Sequence, residues 1–254
     1  MTARVLLGLA QSNALLMGRN MLTVVYAVVV PLAPLALLVA IGERTGEAGA
    51  IPVSLCLLMA LLFPVYYNLL SMFVTRRDEL VLKRLRSGEA TDAEIVVSMA
   101  LPGVALVFVV AAVAAVLAGV LGFGLPGNPI LLVVGLAISC GAFAALALWT
   151  AAWTRNAEAA QLTSAPVLLL AMAGTARAAF PEDAQPWLDL LPGAALEDLV
   201  RVAWFGLEPG ISGTETIAWS ATWAEALPAL GCLVGWTVVG VLLAGRAMRW
   251  EPRD

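Results

Sequence analysis

From Ile95 to Thr154 the chain carries no charged residue. A helix needs about 20 predominantly apolar residues to cross the hydrocarbon core of a bilayer, so this run suffices for two crossings. Hydrocarbon offers no water to satisfy the backbone, which leaves helices and closed barrels as the spanning structures. The stretch Gly122–Pro129, which holds Gly122, Gly124, Pro126, Gly127 and Pro129, divides the run with the strongest turn signals in the chain. Two helices are therefore expected, over 95–121 and 130–153. Four further apolar runs extend the set to six spans, the others being 21–41, 51–74, 159–176 and 226–245. Composition agrees: 61% of residues are hydrophobic and 13% charged, against roughly 45–50% and about 25% in ordinary soluble domains. A soluble globular protein, a disordered chain and a secreted disulfide scaffold are excluded. The expected fold is an all-α polytopic membrane protein, one transmembrane domain over residues 1–254.

The basic residues set the expected orientation, because cytoplasmic loops are enriched in Lys and Arg. With the N-terminus inside, Arg4, Arg19, Arg76, Arg77, Lys83, Arg84, Arg86, Arg155, Arg246, Arg249 and Arg253 fall on the cytoplasmic side. Arg44, Arg177 and Arg201 fall outside. Both termini are thus expected in the cytoplasm. Residues 1–20 precede the first span with Val5, Leu6, Leu9, Leu16 and Met17 at helical spacing and Arg4, Gln11, Ser12 and Arg19 largely opposite. That pattern suits a helix lying on the inner membrane surface, with Asn13 interrupting the apolar stripe; a plain extension of the first span is the alternative. The first apolar run is longer than a signal-peptide core, so cleavage is not expected.

No Asp, Glu, Lys, Arg or His lies in the body of any expected span. Intramembrane ionisable groups mark proton relays, ion-coupled carriers and voltage sensors, so an internal link to an ion gradient is not indicated. The sequence has no histidine, and its one lysine, Lys83, stands between Leu82 and Arg84. A metalloprotease site and a phosphate-binding loop, which needs Gly-Lys-Ser/Thr, are both absent. Cys56, Cys140 and Cys232 all fall inside spans and read as small buried hydrophobes. If the protein moves anything uphill, a partner must supply the energy.

Polar side chains within the spans are hydroxyls, amides and phenols. Tyr66, Tyr67, Asn68 and Ser71 cluster in the inner half of the second span; they read either as interhelical hydrogen-bond formers or as the wall of a translocation path. Ala111, Ala115 and Gly119 in the third span and Gly231 and Gly235 in the sixth have the spacing of close-packed helix faces.

The segment 75–94 has a distinctive grammar. Arg76 to Arg86 predicts a short charged helix with Val81, Leu82 and Leu85 on one side and Glu79 one turn before Lys83. Ser87-Gly88 supplies a stop, and Thr91 with Glu94 has the spacing of a capping box that opens the next helix. A short helix between a stop and a fresh cap forms a rigid knob able to transmit force. A positive-inside anchor on lipid headgroups accounts for the basic residues alone.

The string from Arg77 through Asp78, Glu79, Leu82, Lys83, Arg84 and Leu85 to Arg86, followed by a long apolar helix, resembles the coupling segment of type-2 ABC exporter permeases. The resemblance extends to six spans, an N-terminal interfacial helix, a short first outer loop and a larger outer segment, 178–224. That segment holds Phe180-Pro181 and the run Pro186, Trp187, Leu191, Pro192, similar to the proline- and tryptophan-bearing stretch after the fifth helix of the family. The family's proline after the basic helix is replaced here by Ser87-Gly88-Glu89, and its small-residue-glycine element is approximated by Ala173-Gly174. The resemblance implies a dimeric permease, two copies of a partner ATP-binding subunit that holds ATP and Mg, and contact with that subunit through Arg76–Arg86. No cofactor is expected on this chain, and no nucleic-acid partner.

The outer segment also predicts an amphipathic helix from Ala194 to Phe205. Leu196, Leu199, Val200, Ala203 and Trp204 form its apolar face, and Glu197 and Arg201 form an i,i+4 pair opposite. Trp187, Trp204, Trp219 and Trp223 suit headgroup depth; a gate role for Pro186, Trp187, Leu191 and Pro192 follows only from the resemblance. The few polar atoms and missing charges favour a lipophilic or amphiphilic substrate, drug- or antibiotic-like first, then peptide, then lipid-linked. A non-transporting scaffold that anchors a cytoplasmic partner is the alternative function. The bias to Arg over Lys with abundant Ala, Val, Leu and Gly points to a GC-rich bacterial genome and a plasma-membrane location.

Overall fold

A computed structural model describes residues 3–19, 21, 25–87, 91–211, 213, 215–248 and 250, with side chains from residue 7. Among these the architecture is helical, with one isolated antiparallel bridge between Leu207 and Thr216. The order is α1 (Ala3–Arg19), α2 (Val25–Ala40), α3 (Gly46–Asp78), α4 (Val81–Arg86), α5 (Asp92–Val120), α6 (Pro129–Trp153), α7 (Ala159–Thr175), α8 (Gln185–Leu188), α9 (Pro192–Val200) and α10 (Thr222–Ala247). Helices α3, α5 and α6 and the stretch Trp219–Ala247 are long and apolar enough to cross a membrane. Helices α2 and α7 are shorter apolar helices. The expected turn at Gly122–Pro129 and the capping box are both present: Thr91 N–H donates to the Glu94 carboxylate at 2.8 Å and Glu94 N–H to the Thr91 hydroxyl at 3.4 Å.

Two of the departures from helical regularity coincide with prolines, each of which lacks an N–H and crowds the preceding turn. In α2, Pro31 and Pro34 coincide with a change from wide π turns (Val25–Val29) through α to tight 3-10 (Ala33–Leu35) and back. In α3, Pro64 sits in a π segment, Leu61–Tyr67. There α5 comes closest: a side chain at Gly103 would run into the Pro64 carbonyl, so the crossing requires glycine. A second backbone-to-backbone crossing joins α7 and α9, where Gly174 lies against Ala194 N and Gly193 against Ala171 O. The Ala173-Gly174 element therefore serves this crossing.

The core runs through α3 and α6, whose residues Leu57, Leu61, Leu69, Phe73, Phe143 and Ala147 are buried. Helix α10 packs along α6, with Gly240 close to Ala145 and Thr237 in contact range of Gly141. Gly231 and Gly235, expected as a packing face, have no neighbour within 4 Å of where a Cβ would be; the α10 contact uses Gly240 instead. At the outer end, the Asn128 side chain accepts from Leu131 N–H at 3.0 Å and donates to the Thr222 hydroxyl at 2.9 Å, joining the start of α6 to the start of α10.

Three expectations are corrected. Arg76–Arg86 is not one helix: α3 continues through Arg76, Arg77 and Asp78, the chain turns at Glu79-Leu80, and α4 begins at Val81. Glu79 and Lys83 are thus not an in-helix pair. The outer helix does not lie on the membrane surface: eight of the nine residues from Pro192 to Val200, Glu197 among them, are buried, and Asp198 is partly exposed. Trp204 is 2% exposed and its indole N–H faces the Gly124 carbonyl at 3.4 Å, whereas Trp187 and Trp219 remain exposed. The predicted stop at Gly88 and the basic residues Arg249 and Arg253 lie outside the described residues, as do the side chains of Arg4, Val5 and Leu6.

Candidate functional site

One end of the molecule gathers α1, the α3–α4–α5 connection, the loop after α6 and the start of the C-terminal stretch. The corner between α3 and α4 is made by Leu80, whose φ of 59° places a non-glycine residue in the left-handed region. Beyond it, Leu82 is buried and Val81 and Leu85 are half-buried, so the predicted apolar side of α4 faces the bundle. Asp78, Glu79, Lys83, Arg84 and Arg86 are exposed. Arg86 pairs with Asp92 at 2.7 Å and lies 4.7 Å from the Trp250 ring centroid, which fixes the far end of α4 to the start of α5.

Arg76 and Arg77 are turned inward. Arg77 is fully buried and donates to the carbonyls of Ala151 at 3.0 Å, Thr154 at 2.7 Å and Arg155 at 3.1 Å. The last carbonyls of a helix lack intrahelical partners and carry the negative end of its dipole. A guanidinium, with its fork of donors, suits that cluster. Arg77, expected from the sequence on the coupling surface with Lys83 and Arg84, is instead turned into the bundle. Arg76 is half-buried and donates to Asn13 Oδ1, while Asn13 Nδ2 donates to the Ser98 carbonyl at 2.7 Å. The interruption in the apolar stripe of α1 is thus its docking point on α3 and α5. The isolated amide was the visible signal.

The quartet in the second span divides. Tyr66 is buried and its hydroxyl donates to Thr150 Oγ1 at 3.1 Å, a tie between α3 and α6. Tyr67, Asn68 and Ser71 line a cavity of about 500 Å³ together with Tyr26, Gln161 and Ser164. Tyr26 stacks on Phe63 beside it, ring centroids 5.9 Å apart. The lining is apolar with hydroxyls and amides and holds no charged side chain. Asn68 Nδ2 is buried there with no hydrogen-bond partner among the described residues. Tyr66 and Tyr67 both lie in the π segment, which turns Asn68 and Ser71 relative to their places in a regular helix.

The outer segment is held by buried charge. Arg177, 1% exposed, donates to Asp189 at 2.8 Å and to both carboxylate oxygens of Asp198. Asp198 also accepts from Gly210 N–H at 2.8 Å, and Arg201 donates to the carbonyls of Glu208 and Gly213. Glu197 and Arg201 are both buried, and the carboxylate oxygen Oε2 of Glu197 has no partner among the described residues. Burial pushes the Glu197 carboxyl up to about 7, with Asp198 reinforcing and Arg177 opposing. Burial also opposes the charge on Arg177, but Asp198 outweighs it and holds that guanidinium above its ordinary value. Of the expected gate residues, Pro186 and Trp187 are exposed at α8, Leu191 is half-buried and Pro192 is buried at the start of α9. Trp236 N–H on α10 donates to the Leu190 carbonyl at 2.8 Å, which fastens this stretch to α10.

Residues 1–192 match the ABC-2 type transporter family. The chain belongs to that family. It is therefore a membrane-spanning permease component of an ABC transporter. No individual curated protein matches it closely enough to add to this. The matched range takes in α1, the α3–α4–α5 connection, the cavity and the outer segment as far as Pro192.

Proposed function

We propose that this permease is the translocating subunit of an ATP-driven exporter in a bacterial plasma membrane. It crosses six times, with both termini cytoplasmic, and pairs with a second permease copy or homologue and two ATP-binding subunits that hold ATP and Mg. The observation that carries the reading is α4. It is a short helix set off by the left-handed Leu80, apolar inward, with Lys83 and Arg84 outward, and pinned at its far end to Asp92. Such a rigid, charged projection fits a socket on a cytoplasmic ATPase, and its closure on ATP would rock α3 and α5. The cavity supports the substrate class: an uncharged amphiphile, drug- or antibiotic-like, peptide or lipid-linked, with an acceptor for Asn68 and apolar surface for Tyr26 and Phe63. Burial of α9 and its attachment to α10 support a closing role for the outer segment.

The test is affinity purification of the chain in mild detergent from its native membrane. A stoichiometric ATP-binding subunit is expected, and Lys83→Glu/Arg84→Glu is expected to lose it while insertion is retained. Recovery without any ATPase, under conditions that keep other ABC complexes intact, would favour a scaffold that anchors a different partner. Asn68→Ala is expected to change which amphiphiles stimulate ATP hydrolysis, with yield unchanged.

A further inference from the structure

Arg77 is the buried basic residue nearest α4, and nothing in a simple contact role explains its position. It stands three residues before the Leu80 corner, so any tilt of α4 reaches it through one short turn. Its guanidinium is closed off from solvent and holds three carbonyls, all at the end of α6: Ala151, Thr154 and Arg155. The same helix end is stiffened by the Thr154 hydroxyl, which donates to the Thr150 carbonyl at 2.8 Å and meets the Thr163 hydroxyl of α7 at 2.7 Å. Helix α6 in turn packs along α10, with Gly240 against Ala145. A path of direct contacts therefore runs from α4 through Arg77 into α6, and from α6 into α7 and α10.

We propose that Arg77 is a positioning residue for coupling: it makes the end of α6 follow the α3–α4 corner, so that movement of α4 is shared with the α6–α10 pair rather than absorbed by bending at Leu80. The inference rests on α4 being the ATPase contact. It differs from that reading in predicting that Arg77 leaves partner binding untouched. Several donors from one side chain are needed, because a single bond permits rotation about itself while a fork gripping three acceptors does not. A lysine keeps the charge and loses the fork.

The test uses the purified complex with its ATP-binding subunit and compares Arg77→Lys and Arg77→Gln with Lys83→Glu/Arg84→Glu. Both Arg77 variants are expected to co-purify with the ATPase at the wild-type ratio and to keep basal ATP hydrolysis. Transport per ATP hydrolysed is expected to fall at least about tenfold, the change that follows from losing one charge-assisted hydrogen bond. Spin labels at Ser87→Cys and Ala157→Cys, in a background with Cys56, Cys140 and Cys232 replaced, report the α4–α6 separation. That distance is expected to hold constant between the nucleotide-free and ATP-trapped complexes with Arg77 present, and to spread in both variants. Unchanged transport per ATP, or an unchanged distance in Arg77→Lys, would overturn the inference while leaving the exporter reading intact. Loss of the ATPase from the Arg77 variants would overturn it too, since Arg77 would then be part of the docking surface. Absence of any ATPase from the wild-type preparation would remove the exporter reading itself.

Discussion

Each end of the molecule buries an arginine, and the two are satisfied in opposite ways. Arg77 donates its hydrogen bonds to three carbonyls, which have no net charge and no proton to exchange. Arg177 is surrounded by carboxylates, and the knot around it contains two guanidinium groups, Arg177 and Arg201, against three acids, Asp189, Glu197 and Asp198. The first arrangement is held mainly by neutral acceptors at a helix end, with one carboxylate, Asp78, 3.6 Å from Arg77 Nε. The second is held by charge, carries one acid too many, and places the surplus on the buried Glu197. The proposed coupling through Arg77 benefits from the former, whereas the latter makes the strength of the 178–224 segment depend on pH.

Arg177→Met gives the largest expected effect. It leaves Asp198 and Glu197 buried without their cation, a change that costs about 3–5 kcal/mol in comparable buried pairs. Denaturant or thermal unfolding in detergent measures it, and a loss below the Arg77 value would erase the contrast. Next comes pH. Glu197 titrates at about 7 in the folded protein against an ordinary 4.5, so its charge is unfavourable only in the folded state. That penalty is absent below about pH 4.5 and complete above about pH 7, so stability falls as pH rises across this window, by the order of 2–3 kcal/mol. The facing groups are Arg177, Asp198, Arg201 and Asp189; α7 and α6 carry no acid or base, and Glu47 on α3 and Glu225 on α10 are exposed. Glu197→Gln should flatten the slope, and a slope that persists would assign it elsewhere. Arg77→Met should cost about 1–3 kcal/mol, the range for buried polar groups left unpartnered, with no new pH dependence. The smallest effect belongs to Tyr66→Phe, about 1 kcal/mol, because it removes one neutral bond to Thr150 and leaves the packing in place. A larger loss there would move the centre of polar stabilisation from the two ends to the middle of the bundle.

Much of this architecture was legible in the residues. Uncharged runs located the helices, turn formers placed the break at Gly122–Pro129, and Thr91 and Glu94 announced their cap, because each of these signals is local. What escaped depends on partners distant in sequence. Arg77 reads as a surface charge in a basic loop until the end of α6, more than seventy residues later, closes over it. Glu197 and Arg201 do share a face, as their spacing predicted, but that face meets Arg177 and the 207–216 connection instead of water. Tyr66 and Tyr67 are adjacent in the chain and have different surroundings because neighbouring helical residues point about 100° apart; both sit in a π segment, and one proline in an apolar run does not announce the type of turn around it.

That π segment has a consequence for chain length. A wide turn holds one residue more than the α-helix it interrupts, and each residue of an α-helix advances it by about 100°. Deleting a single residue from Leu61–Tyr67 and restoring regular α-helix would rotate everything below it by about that angle. Asn68 and Ser71 would leave the cavity, and Arg77 would swing away from the end of α6. Between Leu61 and Arg77, the number of residues is as much a part of the site as their identities.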